Sequence, residues 1–245
     1  MALTTTVSQA DFGGKINSAA LAEGDRSRRR VGTRFHGSLL ASAEKRVLVW
    51  MALRLPGSVN SDHLTAIGFV GQIAAGVCYG LVSRDRRMLI VVIICLAVNW
   101  FGDSLDGTLA RVRQQQRPRY GFYVDHILDS IGASTMMIGL AFSGLMHPAL
   151  AIGLLIAFLL LSIQSYLAAC ALGEFHLSFW RFGPTELRIL LILGNLAVFR
   201  WARVIQGHYR LFDIGGAIGL AGMVAMLVAV TLKNTLRLYR EERFQ

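Results

Sequence analysis

Six long apolar stretches dominate the chain and decide what it can become. They fall at about 64–82, 88–110, 121–146, 148–172, 185–201 and 212–235, each close to the roughly 20 residues a helix needs to cross the hydrocarbon core of a bilayer. The runs are continuous rather than alternating, and a backbone in lipid must satisfy its own hydrogen bonds, so helices are expected and strands are not. With 54% hydrophobic residues, 16% charged residues and a mean hydropathy of +0.50, the composition is too apolar for an ordinary soluble domain. The expected fold is an all-α membrane protein of six transmembrane helices preceded by an amphipathic interfacial helix.

The flanking segments complete that plan. Residues 1–38 are polar and carry Arg26, Arg28, Arg29, Arg30 and Arg34. They hold too little apolar surface to fold alone and read as a disordered basic cytoplasmic tail. Residues 39–56 mix apolar positions with Glu44, Lys45, Arg46 and Arg54 around Trp50, the pattern of a juxtamembrane amphipathic helix that stops at Pro56. The six-helix transmembrane unit is then 57–237, and 238–245 a short cytoplasmic tail. No early apolar stretch suggests a cleavable leader. Lys and Arg number nineteen on the side of the N-terminus and six on the other, so both termini are expected in the cytoplasm.

The net charge of +10 suits cytoplasmic loops and anionic headgroups. No aromatic-interleaved basic groove is present, so nucleic acid is not an expected partner. Cys78, Cys95 and Cys170 lie singly in apolar runs and suggest neither a disulfide framework nor a zinc site.

Against this apolar background four carboxylates stand out. Asp103 and Asp106 are three residues apart at the end of the second stretch; Asp125 and Asp129 are four apart at the start of the third. On helices each pair occupies one face. A short basic loop makes the two helices antiparallel neighbours, so their cytoplasmic ends can bring all four together. An acidic group near the bilayer core costs about 2.5–3.5 kcal/mol even on the lenient insertion scale, and the four also repel one another. A divalent cation resolves both problems, since this many hard oxygen ligands suit magnesium, manganese or calcium. Salt bridges to Arg111 and Arg113 are the simpler alternative. Gly107 and Gly121 remove side chains beside the carboxylates, either to admit a phosphate or nucleotide or to let helices pack closely. Ala110 has the same two readings.

Asp103-x-x-Asp106-Gly107-x-x-Ala110-Arg111, nine residues, Gly121-x-x-x-Asp125-x-x-x-Asp129 resembles the CDP-alcohol phosphotransferase (CDP-alcohol phosphatidyltransferase) signature at all eight defined positions. The resemblance implies transfer of a substituted phosphate group from a CDP-linked donor, CDP-diacylglycerol foremost, to an alcohol acceptor with release of CMP. It implies a Mg2+ or Mn2+ cofactor, two ions, held by Asp103, Asp106, Asp125 and Asp129. Asp129 would also be the general base that takes the acceptor hydroxyl proton, while Gly107, Ala110 and Gly121 make room for the nucleotide and Arg111 orients carboxylates. A homodimer in the membrane is implied as well.

Members of the family commonly carry Pro-Asn-x-x-Thr-x-x-Gly at the first span; here Thr65 and Gly68 match, and Ser61 and Asp62 replace Pro and Asn. Asp62 then either contacts the cytidine or Arg111, or caps the first helix. On the acceptor side the candidates are Arg181, Glu186 and Arg188. Gly183-Pro184-x-Glu186 and Asp125-His126-x-x-Asp129-Ser130 look like the ethanolamine and choline branch, whose donor is CDP-ethanolamine or CDP-choline and whose acceptor is diacylglycerol. The two arginines suit an acceptor that carries phosphate. His126 sits about 100° around the helix from Asp125 and reads as a packed histidine. Gln164, Ser165, Tyr166 and Asn195 read as interhelical hydrogen-bonding groups. An ion or metal transporter is the rival from another class. It predicts charged groups continuing through the bundle, and positions 88–98 and 130–145 hold no acidic or basic side chain.

Overall fold

The computed structural model describes residues 41–172, 184–201 and 210–242. The tail over 1–38, Arg181 and the Phe182-Gly183 pair lie outside those residues. Among the described residues there are seven helices and no strand: α1 (Ala41–Arg54), α2 (Ser61–Leu81), α3 (Met88–Val112), α4 (Pro118–Phe142), α5 (Pro148–Leu172), α6 (Pro184–Arg200) and α7 (Leu211–Glu241). Four of them, α2, α3, α5 and α7, are long and apolar enough to cross a membrane. The polar residues of α4 and the 17-residue length of α6 set those two apart. The predicted third stretch ends at Phe142 rather than at 146, because Ser143 and the positive φ of Gly144 turn the chain toward Pro148. The last helix runs on to Glu241 and takes in half of the predicted tail.

The helices carrying the aspartates are packed backbone to backbone. A Cβ on Gly68 would lie 3.0 Å from the Asp103 backbone nitrogen, and one on Gly102 would collide with Gly68 and Leu64, which brings α2 against α3. Gly76 and Gly139 meet in the same way between α2 and α4. With no side chains intervening, helices approach to contact distance and gain dispersion along their length, the usual means of association where lipid offers no hydrophobic drive. The larger of two apolar cores includes Tyr79, Leu89, Val92, Leu96, Met136 and Leu140. The smaller packs Leu48 and Ala52 of α1 onto Leu64 of α2 and Leu105 and Leu109 of α3. The outer face of α1 shows Val47, Trp50 and Leu53, with the Arg54 guanidinium 3.9 Å over the Trp50 ring.

Helix ends place the aspartates. α3 stops one residue past Arg111 in a Schellman motif: Gln115 N–H donates to the Ala110 carbonyl (2.9 Å) and Gln114 N–H to that of Arg111 (3.2 Å). Gln114 takes the left-handed φ of 55° that the motif needs. Pro118 at the first turn then starts α4, where a missing N–H costs nothing. The turnaround is therefore tight enough to keep both aspartate pairs in one layer.

Candidate active site

Asp106 and Thr108 are buried at the end of α3, whereas the Asp103 side chain is 41% exposed. Asp125 is half-buried and Asp129 exposed on the facing α4. All four lie within electrostatic range: Asp103 and Asp125 act on Asp106, and all three act on Asp129, with Arg188 opposing them. The predicted convergence of the two pairs is thus present. The side chains do not close onto a single point, however; among the described residues no three His, Cys, Asp or Glu side chains are close enough together to share one metal ion. Repulsion between like charges spreads them, and donors already occupy two of them. Thr65 Oγ1 donates to Asp106 Oδ2 at 2.6 Å, and the Gly107 N–H donates to Asp106 Oδ1. Arg188 Nη2 meets Asp103 Oδ2 at 2.6 Å. As a donor set, carboxylate oxygens flanked by hydroxyls fit a hard divalent cation.

Arg113 leaves the carboxylates alone. It donates to the carbonyls of Val59, Leu55 (3.1 Å) and Pro56 (2.9 Å), tying the α1–α2 connection to the end of α3. That corrects the salt-bridge alternative for this arginine. Arg111 Nη2 bonds Thr108 Oγ1 at 2.9 Å on its own helix.

The glycines divide cleanly. A Cβ on Gly121 would meet nothing within 4 Å, and one on Gly107 would touch only the Arg111 guanidinium at 3.4 Å. Among the described residues neither one meets another helix: Gly121 opens onto free space one turn before Asp125, and Gly107, next to Asp106, faces only a side chain of its own helix. Ala110 is half-buried on the same end of α3.

The start of α2 closes another side. Asn60, not Asp62, is its N-cap, with the Asn60 N–H donating to His63 Nδ1 at 3.2 Å. Asp62 pairs with Arg117 of the α3–α4 loop, a link that proximity in sequence did not suggest. Ser61 Oγ donates to the Asp106 carbonyl at 3.0 Å. The Ser61 and Thr65 hydroxyls therefore both brace Asp106 from across the helix pair.

On the fourth side stands α6. Arg188 is nearly buried, at 12% exposed, and its Nε donates to Asn99 Oδ1 at 2.8 Å. Asn99 in turn donates to the Gly68 carbonyl at 3.0 Å. Glu186 is half-buried two residues earlier. His126 packs between Phe122 and Tyr166, with ring centroids 4.3 and 5.2 Å away, as a packed histidine should. Asn195 and Tyr79 exchange hydrogen bonds of 2.8 and 3.1 Å in the buried bundle, the expected interhelical role. Sequence reasoning missed Asn99, Trp100 and Glu44, which hold Arg188 and its helix; only the oddity of an Asn in an apolar span pointed to the first.

No curated protein matches the chain. The family model for CDP-alcohol phosphatidyltransferase matches residues 61–234, from the first turn of α2 into α7. Its enzymes are transferases for substituted phosphate groups that generally use divalent metals. Carboxylates on two antiparallel helices, with open glycine positions beside them, are what such chemistry needs, and the chain belongs to the CDP-alcohol phosphatidyltransferase family, a transferase of phospholipid biosynthesis.

Proposed function

We propose that the enzyme moves a phosphatidyl group from CDP-diacylglycerol to an alcohol, releasing CMP at the cytoplasmic face of a six-span membrane domain. In this reading α4 and α6 complete the six spans. Their lengths of 25 and 17 residues correspond to about 38 and 26 Å of helix, and the polar face of α4 is turned to the site. The orientation rests on the nineteen-to-six Lys and Arg asymmetry.

Asp103, Asp106, Asp125 and Asp129 would hold the divalent metal, Mg2+ or Mn2+ and two ions by family likeness. When bound it would neutralise the diphosphate and stabilise charge in an in-line displacement. Thr65 holds the Asp106 carboxylate for that role, and Ser61 braces the backbone carbonyl of the same residue. Gly107, Ala110 and Gly121 would receive the cytidine nucleotide, with Arg111, Asp62 and Thr65 around it. Asp129, the exposed member of the α4 pair, would accept the proton of the acceptor hydroxyl as its oxygen bonds to the phosphorus and the bond to the CMP oxygen breaks. Arg188, Glu186 and Arg181 would bind the acceptor.

The observation that carries this reading is the open position at Gly121, one turn before Asp125, together with Gly107, which faces only the Arg111 guanidinium next to Asp106. A second reading, a CDP-ethanolamine or CDP-choline donor with diacylglycerol as acceptor, draws on Asp125-His126-x-x-Asp129-Ser130. The nearly buried Arg188 favours the first, because a guanidinium at the acceptor side suits a phosphate-bearing alcohol. Purified protein with Mg2+ or Mn2+ and a matrix of CDP-linked donors and alcohols should release CMP only from matched pairs. Folded protein that released none from any pair would overturn the proposal, and metal-ion transport into vesicles instead would revive the transporter.

A further inference from the structure

One oxygen on α1 reaches two helices at once. Glu44 Oε1 accepts a hydrogen bond from Trp100 Nε1 of α3 at 3.0 Å and another from Thr185 Oγ1 of α6 at 2.9 Å. Both donors sit three residues before a member of the Asp103–Arg188 contact (2.6 Å). On a helix that spacing is about one turn. The interfacial helix thus ties together the two helices whose side chains meet at the carboxylate layer, one turn along each from where they meet.

α6 depends on such links. It is 17 residues long, and its Leu187, Leu190, Leu193 and Leu196 are exposed. Polar contacts hold it along its length: Glu44 at Thr185, Asn99 and Asp103 at Arg188, Tyr79 at Asn195, and Arg86 at the Val198 carbonyl. The first lies nearest its N-terminal end, three residues before Arg188. Hydrogen bonds to a charged acceptor are the strong ones, and Glu44 is half-buried, where water competes less.

We infer that Glu44 is a positioning residue: by clamping Thr185 to Trp100 it sets the N-terminal end of α6, and with it the place of the Arg188 guanidinium on the acceptor side of the site. This rests on the acceptor role of Arg188 proposed above. Its consequence is selective. Loosening the clamp displaces Arg188 and leaves the open glycines and the α2–α3 contacts of the donor side in place.

The test uses the full chain in nanodiscs and a donor–acceptor pair on which the wild type releases CMP, so failure of the functional reading shows first, in the wild type. Glu44→Ala should raise the acceptor KM about tenfold, the equivalent of one charge-assisted hydrogen bond, with the donor KM unchanged. Glu44→Gln keeps an oxygen acceptor and should restore the acceptor KM. Amide hydrogen exchange over 184–190, which needs no turnover, should quicken in Glu44→Ala and return toward wild type in Glu44→Gln. Thr185→Val removes one of the two bonds with little change of shape and should repeat the effect if Glu44→Ala does not fold. Equal rises in both KM values, no rescue by Gln, or unchanged exchange at the start of α6 would each overturn the inference.

Discussion

The helices that carry the aspartates and the last helix of the chain use glycine in opposite ways. In α2, α3 and α4, Gly68, Gly102, Gly76 and Gly139 put backbone against backbone. In α7, Gly215 and Gly222 would meet nothing if given a Cβ, and only Phe212 and Gly216 are buried. One third of the most apolar window is buried in α2 and in α3, against 6% in α7. The first group forms a rigid mount; the second presents most of its surface outward, where lipid chains serve as well as side chains. A site that must hold charged groups in register belongs on the mount, since a displacement of about 1 Å at reacting atoms can cost a hundredfold in rate. Gly107 and Gly121 are a third kind, on the mount but meeting no other helix among the described residues.

The largest expected effect separates chemistry from mount. Asp129→Asn should lower CMP release by about a hundred- to ten-thousandfold, the usual contribution of a positioned base. Thermal stability and metal-dependent nucleotide binding should stay near wild type. Normal turnover in this variant would remove Asp129 from the base role.

Next come the open glycines. Gly121→Val should raise the donor KM roughly ten- to a hundredfold, the 1–3 kcal/mol of an overpacked contact with a ligand, while the melting temperature holds or rises because a helical glycine has been removed. A variant with wild-type donor KM and a lower melting temperature would move Gly121 to the packing class.

The packing glycines should behave in reverse. Gly139→Leu forces a side chain into the Gly76 backbone and should destabilise by about 3 kcal/mol or more; Gly222→Leu on α7 should change stability by less than about 0.5 kcal/mol. Denaturation in matched detergent reads both. Equal losses would mean that α7 is covered in the folded protein.

How much of this could be read in advance follows the same division. Helices were legible because lipid leaves the backbone few choices, and the aspartates because charge inside an apolar run is costly enough to need a reason. Their spacing of three and four residues was enough to place each pair on one face. What could not be read was which glycine packs and which stays open, since both look alike in sequence; Gly102 and Gly107 are five residues apart and differ entirely in surroundings. Contacts that join distant helices were hidden too. Asp62 read equally as a cap or as a contact to the nucleotide or Arg111, and it meets Arg117 across the loop while Asn60 is the cap; Arg113, in the salt-bridge alternative a partner for carboxylates, holds three carbonyls of the α1–α2 connection.

The smallest effect concerns α6, which carries several polar contacts to its neighbours beside the packing of Val198 and Gly194. Tyr79 and Asn195 bond reciprocally and are both buried. Tyr79→Phe and Asn195→Leu should each destabilise, since each leaves the other partner's polar group unmet. Combining them removes both needs at once, so the double variant should be less damaged than the sum. In membrane interiors such coupling averages only about 0.6 kcal/mol, because the separated helices find other partners. A double-mutant cycle on the melting transition measures it. Coupling near zero would leave Glu44, Asn99 and Asp103 near the carboxylate layer, and Arg86 at the far end, as the polar contacts that hold α6.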